Sequence, residues 1–111
     1  RHNPRGFRKK EFMQLYLASE CGFVEDVKVL IEAGVDINNV SYKSPSTCLM
    51  IALDRGHVDI AKVLIDNGAD INAPDWAGYP IYFAVQSRRV ECVKLLIQAG
   101  IDVNLSRRST R

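Results

Sequence analysis

The sequence predicts an all-α solenoid of three stacked helix-turn-helix repeats with projecting hairpin loops. Its main support is a segment that recurs with little change: EAGVDIN at 32–38, DNGADIN at 66–72 and QAGIDVN at 98–104. Each follows an apolar run (VKVLI, AKVLI or VKLLI), and each glycine lies 16 residues after an alanine, from 18 to 34, 52 to 68 and 84 to 100. Because self-similarity with a period of about 33 residues is a signature of stacked repeats, this recurrence determines the fold class.

The second helix of each repeat is predicted from its apolar spacing. Starting at Val24, Val58 and Val90, apolar residues recur at i, i+3, i+6 and i+7, which puts them on the one helix face that meets the stack. Acidic residues in the first turn favour the positive end of the helix dipole. An acid and a lysine three residues apart are predicted to form surface pairs contributing about 0.2 to 0.5 kcal/mol each. These pairs are Glu25 with Lys28, Asp59 with Lys62, and Glu91 with Lys94.

Glycines are predicted to end these helices. Gly34, Gly68 and Gly100 stand where a left-handed C-cap closes a helix without a Cβ penalty. The distance from anchor alanine to glycine is constant, so the length variation of the repeats falls in the hairpin connectors.

The turn between the two helices of a repeat contains glycine in two repeats but not in the third. It reads Gly22-Phe23 and Gly56-His57 in the first two repeats, but Arg88-Arg89 in the third. A non-glycine residue in a left-handed backbone bears strain on the order of 1 kcal/mol, so we expect a strained Arg88 or a rebuilt turn. Paired arginines would suit an acidic partner, because guanidinium groups bind carboxylates in a bidentate manner. Drift in a terminal repeat is the alternative.

Together these motifs resemble the ankyrin repeat family. The order Leu-x-x-Ala, Gly-His or its remnant, an amphipathic run and x-Gly-x-Asp-x-Asn covers residues 13–104. The family's Thr-Pro-Leu-His is replaced by MQLY at 13–16, TCLM at 47–50 and YPIY at 79–82, so no repeat retains its histidine. The resemblance divides the chain into a basic N-terminal segment (1–12), three ankyrin-like repeats (about 13–38, 39–72 and 73–104) and a basic C-terminal tail (105–111).

The resemblance implies a non-enzymatic module that binds another protein, within a larger scaffold or regulatory protein. In the family, the partner meets a concave surface formed by the hairpin fingers and the exposed ends of the first helices. The fingers here, VSYKSPS at 40–46 and PDWAGY at 74–79, carry aromatic residues of the kind enriched at interface hot spots. Alternatively, these rings fold back over the neighbouring helices. The predicted partner-binding residues are Tyr42, Lys43, Ser46, Asp54, Arg55, Trp76, Tyr79, Gln86, Ser87 and Arg88, with Glu20 a further candidate.

Basic charge is concentrated at the two ends of the chain. Residues 11–106 hold 7 of the 15 basic residues and all 13 acidic ones. Such an acidic main surface makes nucleic acid an unlikely partner, because nucleic-acid affinity scales with the phosphates that a basic face neutralises. The alternative function is therefore binding of an anionic partner, a nucleic acid or a membrane surface, through the basic termini.

The composition gives no indication of catalysis, a metal or a cofactor. No Cys/His spacing matches a zinc site, and no nucleophile-base set is suggested. Cys21, Cys48 and Cys92 are odd in number and widely separated, so we expect reduced thiols, an intracellular location (cytoplasmic or nuclear) and a buried Cys92. No apolar segment approaches the roughly 18 residues of a membrane span.

The asparagines that close the repeated segments are candidate modification sites. Asn38, Asn72 and Asn104 each follow a leucine by eight residues, which resembles the pattern that asparaginyl hydroxylases accept in ankyrin proteins. The alternative is that their side chains brace the hairpin by hydrogen bonding to its backbone.

One alternative is that the chain is the regulatory part of a larger protein that has a catalytic domain. More generally, the third repeat is expected to be followed by further repeats or domains. In that case its C-terminal side should lack a polar cap. Part of the region around Val93, Leu96, Ile97 and Val103 would then be exposed.

Overall fold

A computed structural model describes residues 9–38, 47–72 and 78–101. Within these ranges the chain forms six α-helices and no strand. The helices are α1 (Lys9–Cys21), α2 (Val24–Glu32), α3 (Cys48–Arg55), α4 (Val58–Asp66), α5 (Pro80–Gln86) and α6 (Val90–Gln98). None of the helices described there has both the length and the apolar character that a membrane crossing requires.

The helices are arranged in two rows. The first helices of the repeats, α1, α3 and α5, contact one another in that order, and so do the second helices, α2, α4 and α6. Each first helix also contacts the second helix of its own repeat. Such packing between neighbouring repeats is that of a solenoid, so the predicted all-α stack of three helix-turn-helix repeats is confirmed.

The core lies between repeats and is fullest around the middle one. Leu49, Leu53, Ile60 and Leu64 of that repeat have almost no exposed surface. Complete burial of a leucine or isoleucine side chain contributes about 1.5 to 3 kcal/mol relative to its exposure. The middle repeat is covered by a neighbour on both sides, which explains why, among the described residues, it holds more buried apolar side chains than either of the other repeats.

Left-handed glycines end the second helices, as predicted. In the first repeat the Gly34 N–H donates to the carbonyl of Ile31 (2.9 Å) and the Val35 N–H donates to that of Leu30 (3.3 Å). Equivalent bonds recur at the glycines of the other two repeats, and the three glycines have φ values of 99, 99 and 91°. These two hydrogen bonds satisfy carbonyl groups of the last helical turn and direct the chain out towards the connectors.

The anchor alanines close the turns between the paired helices. Their carbonyls accept the backbone N–H of the residue that immediately precedes the second helix: Phe23 to Ala18 (3.0 Å), His57 to Ala52 (2.8 Å) and Arg89 to Ala84 (3.3 Å). Ala52 and Ala84 have no exposed surface, so a larger side chain would need space that neighbouring helices occupy.

Two of the three predicted acid-lysine pairs form. Glu25 contacts Lys28 at 3.7 Å and Glu91 contacts Lys94 at 3.9 Å. The Asp59–Lys62 prediction is wrong, because Lys62 pairs with Asp66 at 3.1 Å. The Asp59 carboxylate instead accepts the backbone N–H of Ile60 at 2.8 Å. This hydrogen bond satisfies an N–H group at the start of α4, where such groups lack helical partners.

Candidate partner-binding surface

The C-terminal ends of the three first helices form a polar row. Because α1, α3 and α5 are neighbours in the stack, matching residues just before each turn lie side by side. Glu20, Asp54 and Gln86 hold one set of matching positions, and Cys21, Arg55 and Ser87 the next. All five residues predicted on the first helices therefore fall in this row: Glu20, Asp54, Arg55, Gln86 and Ser87.

An ion pair joins the first two repeats in the row. Arg55 Nη2 lies 2.7 Å from Glu20 Oε2. About half of the arginine side chain and a third of the glutamate side chain remain exposed (48% and 34%), so the pair contributes about 1 kcal/mol at most. Its main effect is geometric, because it holds a guanidinium and a carboxylate in fixed relation on the surface.

His57 also holds the first and second repeats together at this junction. Its Nε2–H donates to the backbone carbonyl of Glu20 at 2.9 Å, which assigns the proton to that nitrogen. The imidazole covers Gly22, where a Cβ would lie 2.9 Å from His57 Cε1. The turn of the first repeat therefore needs glycine for two reasons: its φ is 86°, and the next repeat approaches it closely.

Ser87 occupies the second junction of the row. Its hydroxyl lies 3.0 Å from the carbonyl of Ala84 and 3.3 Å from that of Leu53 in the preceding repeat. A hydroxyl has a single proton to donate, so the two carbonyls share it. Asp54, half-buried beside this junction, gives the centre of the row a carboxylate.

Arg88 stands at the end of the row in a left-handed backbone. Its φ of 63° is the only positive value among the described non-glycine residues. The Arg88 N–H donates to the Val85 carbonyl at 3.0 Å, and in the second repeat the Gly56 N–H donates to the matching carbonyl of Leu53. The prediction of a strained Arg88 is thus confirmed, and its side chain is exposed.

The loop residues of the predicted surface are only partly described. Tyr79 precedes α5 with an extended backbone (φ −99°, ψ 161°) and is half-buried against the core. Tyr42, Lys43, Ser46 and Trp76 lie outside the described residues, so their exposure stays a prediction.

Asn38 links the first repeat to the second. Its side-chain Nδ2 donates to the Gly68 carbonyl at 3.0 Å, and its Oδ1 accepts the Asp70 N–H at 2.8 Å. The amide therefore braces backbone, but of the next repeat rather than of its own hairpin. Asn72 is exposed, with its backbone N–H donating to Asp70 Oδ1 at 3.0 Å. Asn104 lies outside the described residues, and hydroxylation of the three asparagines stays a prediction.

The three thiols are free and differ in environment. Cys21 is exposed, whereas Cys48 and Cys92 are buried, as predicted for Cys92. Burial raises the pKa of Cys48 from its ordinary 9.0 to about 12, against a smaller opposing effect of its hydrogen bond with Ser19. Burial also raises the pKa of Cys92. Among the described residues, no group of His, Cys, Asp and Glu side chains could hold a metal ion.

Two contacts of this surface escaped the sequence reasoning. The sequence predicts that Glu20 and Arg55 contact a partner, but it does not predict the ion pair between them. The bridge made by Asn38 was also missed. In both cases the signal is a spacing near one repeat period, since the pair is 35 residues apart and Asn38 reaches 30 and 32 residues along the chain.

Comparison with known proteins agrees with this geometry. A sequence model of ankyrin repeats matches three copies over residues 15–107. No curated protein matches the chain. Ankyrin repeats are generally protein–protein interaction modules and are typically non-enzymatic. With three copies that span most of its length, the chain belongs to the ankyrin repeat family.

Proposed function

We propose that the chain binds another protein across the polar row and the two hairpin fingers at 40–46 and 74–79, and that it acts by binding alone. The observation that carries this proposal is the fixed arrangement of the row. Glu20 and Arg55 are paired at 2.7 Å, and the carbonyl of Glu20 is held by His57. A partner would meet a surface whose ordering cost has already been met in the fold, which favours binding.

The chemistry of the row favours a polar partner segment. Asp54 supplies a carboxylate, and Arg55 and Arg88 supply guanidinium groups. Planar guanidinium groups select carboxylates through paired hydrogen bonds. Trp76 and Tyr42 of the fingers are proposed to provide the apolar anchors, since aromatic residues dominate interface energetics.

The proposal also includes the location and the wider chain. Three unpaired cysteines support a reducing compartment, the cytoplasm or the nucleus. Membership in a larger scaffold or regulatory protein is proposed from the family resemblance. Binding of anions through the basic termini rests on residues 1–12 and 105–111, of which 1–8 and 105–111 lie outside the described residues.

Affinity capture from the native cell, followed by mass spectrometry, tests the proposal. We expect a reproducible partner to be captured by the wild-type chain and lost, by a factor of about 10 or more, with a Trp76→Ala, Arg55→Glu double variant. A Lys28→Glu, Lys94→Glu variant is the matched control, because both lysines lie on exposed faces of second helices. Equal capture by all three chains would contradict the proposed surface, provided that thermal melting shows all three to be folded.

A further inference from the structure

The two ends of the stack expose faces that are covered elsewhere by a neighbouring repeat. We define the C-terminal end face as Tyr82, Val85, Val93 and Ile97 of α5 and α6. The residues at the matching positions of the second repeat are Met50, Leu53, Ala61 and Ile65. Leu53 and Met50 are 0% and 1% exposed, whereas Val85 and Tyr82 are 58% and 39% exposed.

The C-terminal end face thus retains the composition of a repeat-repeat interface. All four of its residues are apolar or aromatic, and Ile97 is 55% exposed. The expectation that the region around Val93 and Ile97 is uncovered is confirmed in part. Leu96 is buried, and Val103 lies outside the described residues.

The N-terminal end face, which we define as Gln14, Leu17, Phe23, Asp26 and Val29, is built differently. Where the second repeat buries Cys48 and Ile60 against its neighbour, the first repeat exposes Gln14 and Asp26. Polar residues on an outer face are what a terminal repeat needs. Leu17, Phe23 and Val29 stay exposed around the resulting groove.

Arg88 alters the rim of the C-terminal end face. At the two internal junctions, the turn glycine accepts a side chain of the next repeat: His57 covers Gly22, and Arg89 covers Gly56. A Cβ at Gly56 would lie 2.6 Å from Arg89 Nε. Arg88 has such a Cβ, together with a guanidinium group, so an ordinary repeat with a histidine or arginine at that place would have to shift.

We propose that the C-terminal end face binds a helical hairpin of a partner protein that presents apolar residues to α5 and α6 and a carboxylate to Arg88. The apolar part follows from continuity with the internal interfaces, where one helix pair covers another. The acidic part follows from charge: the turn that is glycine at the internal junctions carries the cation of Arg88 here. This surface is separate from the polar row, except that Arg88 borders both.

A second copy of this chain does not suit the face in head-to-tail order. Asp26 would then occupy the place where Ile60 is fully buried, and it would lose its hydration there. Phe23, which matches His57, would meet the Cβ of Arg88. Both features act against stacking of identical chains end on end.

The probe for the test is a synthetic peptide with the sequence of residues 78–101, cross-linked between its two helices and confirmed as helical by circular dichroism. This hairpin presents the side with which α5 and α6 cover the second repeat. Val85→Ser and Ile97→Gln on its other side keep the peptide monomeric. One version carries Arg89→Glu, and the other retains arginine there. Binding to the full chain is measured by fluorescence anisotropy.

We expect the peptide with Arg89→Glu to bind the wild-type chain about tenfold more tightly than the version with arginine. Arg88→Glu in the chain should reverse that preference. Val85→Asp should abolish binding, whereas Leu17→Asp on the N-terminal end face, the matched control, should leave it unchanged. Thermal melting verifies that each variant is folded.

Three results would overturn the proposal. The first is no binding of either peptide to the wild-type chain. The second is binding that Arg88→Glu and Val85→Asp leave unaltered. The third is a dimer of the chain itself, seen by sedimentation and dissolved by Val85→Asp, because the occupant would then be a second copy.

Discussion

The two end faces of the stack differ although they belong to the same repeat design. At the N-terminal end face, Gln14 and Asp26 replace residues that are buried in the other repeats. At the C-terminal end face, the apolar positions are kept and only the turn is changed, to Arg88. The comparison teaches that the same position in a repeat can be core, polar cap or open apolar surface. The presence or absence of a neighbouring repeat determines which of these environments the position has, since burial in a solenoid comes from adjacent repeats.

The largest expected contrast is in the reactivity of the thiols towards alkylation. Cys48 lies at the position that Gln14 holds on the open N-terminal end face, but it is buried by the first repeat. With its pKa raised from 9.0 to about 12, Cys48 has about 1000-fold less thiolate near pH 8 than an ordinary cysteine. Alkylation followed by mass spectrometry should therefore label Cys21 first and Cys48 only on unfolding.

The raised pKa of Cys48 also predicts how the stability of the fold changes with pH. The folded state holds Cys48 as the neutral thiol, so its contribution to stability is complete below the unfolded-state pKa of 9.0 and is lost as pH rises towards 12. Rapid labelling of Cys48 in the folded chain would contradict the buried position and the coverage of α3 by α1.

Truncation of matching residues compares a covered face with an open one. Leu53→Ala should lower the free energy of unfolding by about 3 kcal/mol, because Leu53 is fully buried by the third repeat. Val85→Ala, at the same position of the open face, should cost about 0.5 kcal/mol or less. Urea denaturation measures both. Similar losses would mean that the C-terminal end face is already covered in solution.

Removal of the Asn38 amide tests the hydrogen bonds that join the first repeat to the second. Asn38→Ala should lower the free energy of unfolding by about 1 kcal/mol, since two cross-repeat hydrogen bonds are lost at an exposed site. Asn72→Ala provides the comparison at the next junction. Amide hydrogen exchange at Asp70 should quicken only in the Asn38 variant, and unchanged exchange there would contradict the bridge.

The smallest expected effect is a gain in stability from relief of the Arg88 backbone. Arg88→Gly should raise the free energy of unfolding by up to about 1 kcal/mol, because glycine adopts a φ of 63° without a Cβ penalty. Arg89→Gly is the control at a residue with φ −102°, where glycine should destabilise. A loss of stability in both variants would show that Arg88 makes contacts that outweigh its strain.

Local features of the fold could be predicted from the sequence because they depend on neighbours in the chain. The second helices and their glycine caps follow from patterns within one repeat, and the left-handed Arg88 follows from aligning its turn with the glycine turns of the other two repeats. Contacts between repeats were harder to predict, as the bridge from Asn38 and the Glu20–Arg55 pair show. They depend on how far one repeat is shifted against the next, which a single sequence does not reveal.

The candidate site was predicted less completely than the fold, for a physical reason that the surface itself shows. Exposed polar side chains have several partners within reach at similar energy. Lys62 accordingly takes Asp66 instead of Asp59, and Arg55 takes Glu20. The aromatic residues Tyr42 and Trp76 lie outside the described residues, so the finger part of the surface still rests on the family resemblance.

The contact between a turn glycine and the following repeat also gives the stack a direction in which it can lengthen by duplication. A duplicated second repeat would place its own His57 on Gly56 of the original, as His57 already lies on Gly22, and both junctions would be of a kind the molecule already contains. A duplicated third repeat would instead bring Arg89 of the copy onto Arg88. The middle repeat is therefore the unit that gene duplication can insert with least change, whereas Arg88 disfavours duplication of the third repeat.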